Sequence, residues 1–381
     1  MSDQTVILHN AEIVLAEDVV RGWLAMEHGR IAEIGEGKPP ERGLDLEGDY
    51  LIPGLVELHT DHLESHYAPR PKVRWHPLGA VLAYDAQMAS SGITTVFDSL
   101  RAGTDNDGGG LGAELTELSE ALDEARRGGL FRSEHLTHLR VEVPAPDVVE
   151  TTTKFLARFP VGMISLMDHT PGQRQFRDLQ KYFIYYGGKT GKTAQEIETL
   201  VEWKKKENAA HAAVNRPAIV GLAREHRITL ASHDDTTVQD VEQSLGEGVA
   251  LAEFPTTLEA ARASHALGFT VMVGAPNLIR GGSHSGNVSA EALAEEGILD
   301  ILSSDYVPAS LLMAAFLLSR RVPKISLPEA IAKVSRNPAQ ATGLADRGDI
   351  AEGKRADLIR VGTAGEIPVV RQVWREGLRV S

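Results

Sequence analysis

The sequence predicts an α/β protein in which a (β/α)8 TIM barrel is accompanied by a small β-sandwich domain built from both termini. Three observations support this prediction. The middle of the chain alternates strand-like runs with helical patterns, both ends consist of short apolar runs separated by turns, and polar side chains follow almost every strand of the middle. With 381 residues, of which 42% are hydrophobic, the chain is long enough for a barrel and a smaller companion.

The two ends of the chain have the character of β-sheet. In residues 1–52, apolar runs are separated by glycines and by Pro39-Pro40, and residues 340–381 return to that pattern. We therefore expect residues 1–52 and 340–381 to form one β-sandwich domain, with residues 53–339 forming the barrel. Two independent peripheral hairpins are the alternative interpretation.

Eight strand-like runs in the middle of the chain, most of them followed by a helical pattern, describe the barrel. The runs are Leu55–His59, Thr94–Asp98, Leu136–Val143, Val161–Asp168, Ile228–His233, Val249–Phe254, Thr270–Ala275 and Ile298–Ser303. A doubly wound open sheet is the structural alternative. Polar residues end nearly every run, which favours a closed barrel with its site at the C-terminal mouth.

One connection, between the fourth and fifth strands, is too long for an ordinary loop and helix. We interpret it as an insertion around residues 171–218 that passes over the barrel mouth, with a helical pattern from Ala194 to about Asn215. Its first part contains several glycines, which would let the segment open without strain. The basic residues of this part are Arg174, Arg177, Lys181, Lys189 and Lys192. We therefore expect a mobile basic lid.

Composition excludes several classes of protein. The net charge of −14 argues against a general nucleic-acid surface, and no apolar run approaches the length of a membrane span. The absence of cysteine excludes disulfides, thiolate metal sites and cysteine nucleophiles. The first residues lack the basic and apolar regions of a secretory signal, so a cytoplasmic enzyme is expected. A homo-oligomer is compatible with the sequence.

Potential metal ligands gather where the predicted strands end. His59 ends the first predicted strand and Asp61 lies two residues further on, and side chains two residues apart on a strand share one face. The ends of later strands carry further polar groups: Arg140, Glu142, Asp168, His169, His233, Asp234, Asp235, Glu253 and Asp305. Imidazole and carboxylate without thiolate suit one or two divalent ions, with Zn²⁺ preferred and Mn²⁺ or Fe²⁺ as alternatives. The pattern predicts a metal centre, and a polar mouth without metal is the alternative.

Two motifs resemble those of the amidohydrolase superfamily. Pro53-Gly54-Leu-Val-Glu-Leu-His59 matches its first metal-binding strand, and Gly348-Asp-Ile-Ala-Glu-Gly353-Lys-Arg-Ala356-Asp357 matches its C-terminal β-sandwich. The resemblance implies a metal-dependent hydrolase in which Asp305 is a ligand and also accepts a proton from the attacking water. The implied ligands are His59, Asp61, Glu142, His169, His233 and Asp305. The chain departs from the superfamily at Asp61 and Glu253, where histidines are usual.

Longer strings look like one subfamily of that superfamily, the metal-dependent diphosphatases of bacterial phosphonate degradation. The most specific strings are Ser165–Phe176 and Gly274–Asn287, and the resemblance runs from about residue 50 to residue 310. It implies hydrolysis of a ribose that carries a methylphosphonate and a 5-triphosphate, with release of the 5-phosphate and pyrophosphate. Polar and basic groups around the mouth would bind this strongly anionic substrate. They are Arg70, Arg140, Arg174, Arg177, Lys181 and His284.

Two alternatives stay open at this point. The superfamily features alone support equally an amidohydrolase of a cyclic amide or amine, similar to dihydroorotases or deaminases. A non-catalytic scaffold is suggested by Asp61 in place of a histidine, although aspartate is itself a competent ligand and Asp305 is retained. An assay of pyrophosphate release against ammonia release distinguishes the diphosphatase from the amidohydrolase. Metal analysis of the purified protein tests the scaffold.

Overall fold

The structure is a computed structural model that describes residues 5–70, 72–104, 114–174, 179–180, 182–183, 187, 193–283 and 286–381. Most of the basic part of the predicted lid lies outside these ranges. So do three of the predicted substrate-binding residues, Arg177, Lys181 and His284. What was expected of them therefore stays a prediction.

Within the described ranges the chain forms two sheets of eight strands each. The strands are β1 (Val6–Val14), β2 (Val19–Glu27), β3 (Arg30–Glu36), β4 (Leu44–Asp45), β5 (Tyr50–Pro53), β6 (Leu55–Thr60), β7 (Ile93–Ala102), β8 (Glu134–Glu142), β9 (Met163–Met167), β10 (Thr229–His233), β11 (Leu251–Glu253), β12 (Thr270–Gly274), β13 (Ile301–Ser303), β14 (Leu358–Ala364), β15 (Ile367–Arg375) and β16 (Leu378–Arg379).

The barrel consists of β6 to β13, which pair in chain order and are all parallel. It closes where the chain after β13 returns to β6. There the backbone N–H of Asp305 donates to the carbonyl of His59 over 3.1 Å, and that of Asp61 donates to the carbonyl of Asp305 over 3.2 Å. The eight strands predicted in the middle of the chain are confirmed. Closure places the ends of the first and last strands side by side.

Side chains alternate along each strand and so divide the barrel into two packing layers. The inward apolar residues form one cluster: Val56, Leu58, Phe97, Met163, Ala231, Leu251, Met272 and Ile301. Outward residues such as Val96, Leu139 and Ile164 belong to a larger cluster that they share with the surrounding helices. The inner cluster fills the barrel, so polar side chains at the carboxyl ends of the strands rest on an apolar floor.

Thirteen α-helices are described, and most of them separate the barrel strands. They are α1 (His62–Tyr67), α2 (Pro77–Ser90), α3 (Leu115–Arg127), α4 (Val148–Leu156), α5 (Ala194–Glu207), α6 (Ala213–Glu225), α7 (Val238–Glu247), α8 (Leu258–Ala266), α9 (Ala275–Arg280), α10 (Ala290–Glu296), α11 (Ser310–Arg321), α12 (Leu327–Ala332) and α13 (Arg336–Ala341). Three of them begin with capping boxes at Thr193, Thr237 and Ser326. None of the described helices is long and apolar enough to cross a membrane.

Both termini contribute to the second sheet, as predicted. Its strand order is β16-β15-β14-β5-β1-β2-β3, with β4 beside β1, and β14 pairs antiparallel with β5 between the two segments. Residues from both segments also share one hydrophobic cluster, which includes Leu8, Leu24, Leu51 and Trp374. This pairing is incompatible with two independent hairpins.

From Ala194 onward the long insertion is helical. A π-helical turn, Asn208–Ala212, separates α5 from α6, and Pro217 follows within the next turns. Proline has no N–H to donate to the carbonyl four residues earlier, so the α-helical ladder lacks a donor for the carbonyl of Ala213, directly after the π-helical turn. Asn215 then anchors the insertion to the barrel, because its Nδ2 donates to the carbonyls of Val143 and Ala145 over 2.9 Å each.

Candidate metal centre at the barrel mouth

The first group of potential ligands lies at the barrel seam. His59 is the fifth residue of β6 and only 1% exposed, and Asp61 follows just beyond the strand end. Nε2 of His59 lies 3.7 Å from Oδ1 of Asp61. Asp305 completes the group, since one ligand atom from each of the three residues lies within 4.8 Å of the others. The predicted convergence of His59 and Asp61 on one side is therefore present.

Asp305 reaches this group through an unusual backbone conformation. Its φ is 54°, in the left-handed region that residues other than glycine rarely adopt. The seam hydrogen bonds to His59 and Asp61 hold it there. Backbone strain of this kind costs on the order of 1–3 kcal/mol and is concentrated at functional sites.

A second group combines His169, His233 and Asp234, again with one ligand atom of each within 4.8 Å of the others. His233 ends β10, and Asp234 directly after it has a φ of 57°. Nε2 of His233 lies 3.5 Å from Oδ2 of Asp234. The sequence showed Asp234 beside His233, but the implied ligand set did not include it.

Glu142 lies next to the second group and contacts His169. One of its oxygens accepts from the backbone N–H of His169 over 2.9 Å, and the other lies 2.7 Å from Nδ1 of the same residue. Burial alone would raise the pKa of Glu142, but the nearby charge and hydrogen bond of His169 outweigh burial and hold that pKa well below its usual range. Both oxygens of this predicted ligand are thus engaged by His169.

Glu253, at the end of β11, contacts a histidine of each of these groups, and with His59 and His138 it forms a third group of potential ligands. Its Oε1 lies 2.7 Å from Nδ1 of His59, and its Oε2 lies 2.5 Å from Nδ1 of His233. Oε2 also accepts from the hydroxyl of Ser165 over 2.8 Å. Burial would raise the pKa of Glu253, but the surrounding histidines hold it well below its usual range. The carboxylate therefore has a defined contact on both oxygens.

Glu57 is a second buried carboxyl group, and it binds the backbone at two strand ends. Its side chain is fully buried, with Oε1 accepting from the N–H of His59 over 2.7 Å and Oε2 accepting from the N–H of Ser304 over 2.6 Å. Burial raises the pKa of Glu57 to about 7, even though these hydrogen bonds act in the opposite direction. One carboxyl group thus links the two strand ends that carry His59 and Asp305.

Two arginines lie side by side at the mouth. Arg140 on β8 is in register with Arg101 on β7, and its Nη1 donates to Oδ1 of Asp61. Burial would raise the pKa of Asp61, but the charges of Arg140, His59 and Arg101 hold it well below its usual range. Arg101 was missed in the sequence because the second barrel strand was expected to end at Asp98. The signal was the continued alternation of inward side chains through Ser99 and Arg101.

Two other predicted substrate-binding residues, Arg70 and Arg174, do not contact Asp61 as Arg140 does. Arg70 is exposed just after α1. Arg174 is buried, and its Nη1 donates to Oδ1 of Asp235 and, over 3.3 Å, to the carbonyl of His233. In the structure Arg174 therefore fastens the start of the insertion to the end of β10.

The donors fit a divalent metal. Imidazole nitrogens and carboxylate oxygens, without thiolate, are the ligand types of zinc and related ions, and the members of each group are close enough to share one ion. Carboxylates on the far side of ligand imidazoles are a regular feature of such centres. His59 and His169 both have one.

Comparison with known proteins agrees with this geometry. A family model described as "Amidohydrolase family" matches residues 78–377. The chain is also 46% identical, over 377 residues, to the alpha-D-ribose 1-methylphosphonate 5-triphosphate diphosphatase of Escherichia coli (strain K12), an alignment that covers 98% of this chain and 100% of that protein.

Solved structures share the fold at low sequence identity. N-acetyl-D-glucosamine-6-phosphate deacetylase from Mycobacterium smegmatis is 16% identical with a TM-score of 0.63, covering 99% of this chain and 100% of that one. 5-methylcytosine deaminase from Klebsiella pneumoniae is 13% identical with a TM-score of 0.65, covering 99% and 98%. The matched family, the nearly full-length relative and the barrel with its mouth of imidazole and carboxylate groups lead to one conclusion: the chain belongs to the amidohydrolase family.

Proposed function

We propose that the protein hydrolyses alpha-D-ribose 1-methylphosphonate 5-triphosphate to the 5-phosphate and pyrophosphate, as a metal-dependent step of phosphonate catabolism. The observation that carries the proposal is the 46% identity to a diphosphatase of that substrate, along the whole length of that protein. The groups of potential ligands at the mouth supply the chemistry that such an enzyme needs.

We assign one ion to His59, Asp61 and Asp305, and a second to His169, His233 and Asp234. Zinc is preferred because both groups mix imidazole with carboxylate, and manganese or iron is compatible. When bound, the metal polarises a phosphoryl oxygen and lowers the pKa of water. Glu142, proposed as a ligand from the sequence, is better placed to hold His169 by its Nδ1 than to bind the ion directly.

Asp305 is the proposed proton acceptor. It belongs to the first group and comes from the strand that closes the barrel against β6. In the proposed step, water oxygen bonds to the α-phosphorus, the bond from that phosphorus to the α–β bridging oxygen breaks, and pyrophosphate departs. Asp305 takes the proton that the water loses.

Cations next to the ligands support an anionic substrate. Arg140 and Arg101 adjoin Asp61, so two guanidinium groups lie beside the first ligand group. Guanidinium groups bind phosphate oxygens through charge-assisted hydrogen bonds and balance the charge that gathers on departing pyrophosphate. Arg70, Arg177, Lys181 and His284 are proposed as further substrate contacts from the sequence.

Product identification tests the proposal. Zinc-loaded protein is incubated with the ribose triphosphate and, separately, with a cyclic amide and an aminopyrimidine, and the products are followed by ³¹P NMR and an ammonia assay. We expect pyrophosphate and the 5-phosphate in equal amounts from the first substrate and no turnover of the others. Orthophosphate in place of pyrophosphate, or release of ammonia, would refute the assignment.

A further inference from the structure

The sixth barrel strand ends in a carboxylate at the place where the amidohydrolase superfamily usually has a histidine. Glu253 is only 1% exposed, and each of its oxygens contacts an imidazole of a different ligand group. Oε1 lies 2.7 Å from Nδ1 of His59, and Oε2 lies 2.5 Å from Nδ1 of His233. The two imidazole rings stack with their centroids 5.9 Å apart.

The chemistry of these contacts determines which ring nitrogen carries the proton. An ionised carboxylate can only accept hydrogen bonds, so Nδ1 of both His59 and His233 must be the donor. A neutral imidazole protonated on Nδ1 leaves the lone pair of Nε2 available for a metal. Nε2 of His59 lies on the side of Asp61, at 3.7 Å, and Nε2 of His233 on the side of Asp234, at 3.5 Å.

Glu253 also belongs, with His59 and His138, to a third group of potential ligands, but its contacts favour a place behind the centre over direct binding of an ion. Both oxygens already accept from imidazole N–H groups, and Oε2 accepts in addition from Ser165 over 2.8 Å. Ser165 is fully buried on β9, so the carboxylate is held from a third strand. The atoms of His59 and His233 that it contacts are those that point away from Asp61 and Asp234.

We infer that Glu253 is a positioning residue shared by the two ligand groups. Its one carboxylate fixes His59 and His233 in the tautomer that presents Nε2 to the metal, and it thereby couples the two halves of the centre. This inference rests on the metal centre of the proposed function, but it concerns the hydrogen-bonding carboxylate behind that centre.

The substitution Glu253→Gln tests the inference because it keeps the shape but changes the hydrogen bonding. A carboxamide offers one accepting oxygen and one donating nitrogen, so only one of the two imidazoles can still donate to it from Nδ1. The other must move its proton to Nε2, which removes a ligand atom. We expect zinc affinity, measured by competition with a chelator, to fall roughly 10- to 100-fold.

Two further measurements make the test specific. The control variant Glu134→Gln removes a carboxylate at the start of β8, away from the mouth. Glu134 contacts Arg347 and Arg355, and we expect the variant to keep wild-type zinc affinity. Histidine ¹⁵N NMR of the unaltered zinc-loaded protein reads the tautomers without any substitution, and we expect Nδ1–H on both His59 and His233.

The outcomes distinguish this inference from the proposed function. A wild-type protein that binds zinc and releases pyrophosphate, but shows Nε2–H on either imidazole, would overturn the inference alone. The same holds if Glu253→Gln folds and retains wild-type zinc affinity. A wild-type protein that takes up no zinc would instead overturn the metal centre itself.

Discussion

At the scale of single residues, the ligand assignment makes a direct prediction for His59. Its ring is held from behind by Glu253 and faces Asp61, so replacing it by alanine removes a ligand and leaves the remaining carboxylates to repel each other. We expect His59→Ala to lose bound metal and turnover together, measured by metal analysis and product assay on the same preparation.

His62 provides the matched control for this variant. It lies three residues further along the chain, and its imidazole contacts Gln87 and the carbonyl of Tyr306, each within 3.2 Å. His62→Ala is expected to keep its metal. A His59→Ala protein with full metal content and full turnover would remove His59 from the ligand set.

Arg101 is a proposed substrate contact that was not predicted from the sequence, and it yields a second prediction. Because it lies in register with Arg140 at the mouth, Arg101→Met should weaken binding of the triphosphate while metal content stays unchanged. Loss of a charge-assisted hydrogen bond of about 1.5–3 kcal/mol corresponds to roughly a tenfold to hundredfold rise in KM. Arg127→Met, on the exposed end of α3, should leave KM as it is, and an unchanged KM in both variants would contradict the assignment.

The residue types at the strand ends were predictable, but their pairings were not. His59, His233 and Asp305 could be placed at the mouth because each lies at or just after the end of a recognisable strand. The contact of Arg174 with Asp235 could not be predicted, because it joins residues 61 positions apart in sequence through the course of a long insertion. The sequence favoured Arg174 as a phosphate contact for its charge alone.

At the scale of elements, a buried ionic cluster fastens α2 to the outside of the barrel. His135 on β8 lies with Nδ1 3.0 Å from Asp98 on β7 and with Nε2 3.3 Å from Asp85 on α2. Burial lowers the pKa of His135, but the two carboxylates outweigh it and raise the pKa to about 9. The three groups are buried, so the cluster depends on the positive charge of the imidazole.

This cluster predicts how stability depends on pH. The folded pKa of His135 lies above its unfolded value, so its contribution is complete below about pH 6.5 and is lost as the pH rises through 9. We expect the difference in unfolding free energy between wild type and His135→Gln to shrink by up to roughly 3 kcal/mol between pH 6 and pH 10, measured by urea denaturation. The control variant is His265→Gln, at an exposed position. If the difference in unfolding free energy between wild type and His135→Gln does not depend on pH, His135 is neutral in the folded protein.

The elements themselves were easier to predict than their ends. Alternation of apolar residues located all eight barrel strands, because inward and outward positions face two different apolar layers. The end of β7 was placed four residues early, at Asp98 instead of Ala102, since polar inward residues at a strand end resemble a loop. The mobile lid stays a prediction.

At the scale of the whole molecule, the terminal sheet and the barrel are joined by ionic contacts. Glu134, at the start of β8, accepts from Arg347 over 2.7 Å and from Arg355, which precedes the C-terminal strands. The backbone N–H of Gly54 also donates to the carbonyl of Asp357 over 2.7 Å, directly before β6. The motif at the C-terminal end is thus in contact with the strand that carries His59.

Oxygen labelling tests whether water attacks the α-phosphorus of the ribose triphosphate at this mouth. Zinc-loaded enzyme acts on the substrate in ¹⁸O-labelled water, and both products are weighed by mass spectrometry. Pyrophosphate is the better leaving group, and the arginines beside Asp61 are proposed to stabilise its charge. We expect one labelled oxygen in the ribose 5-phosphate and none in pyrophosphate, whereas label confined to pyrophosphate, or the appearance of labelled orthophosphate, would refute attack at the α-phosphorus.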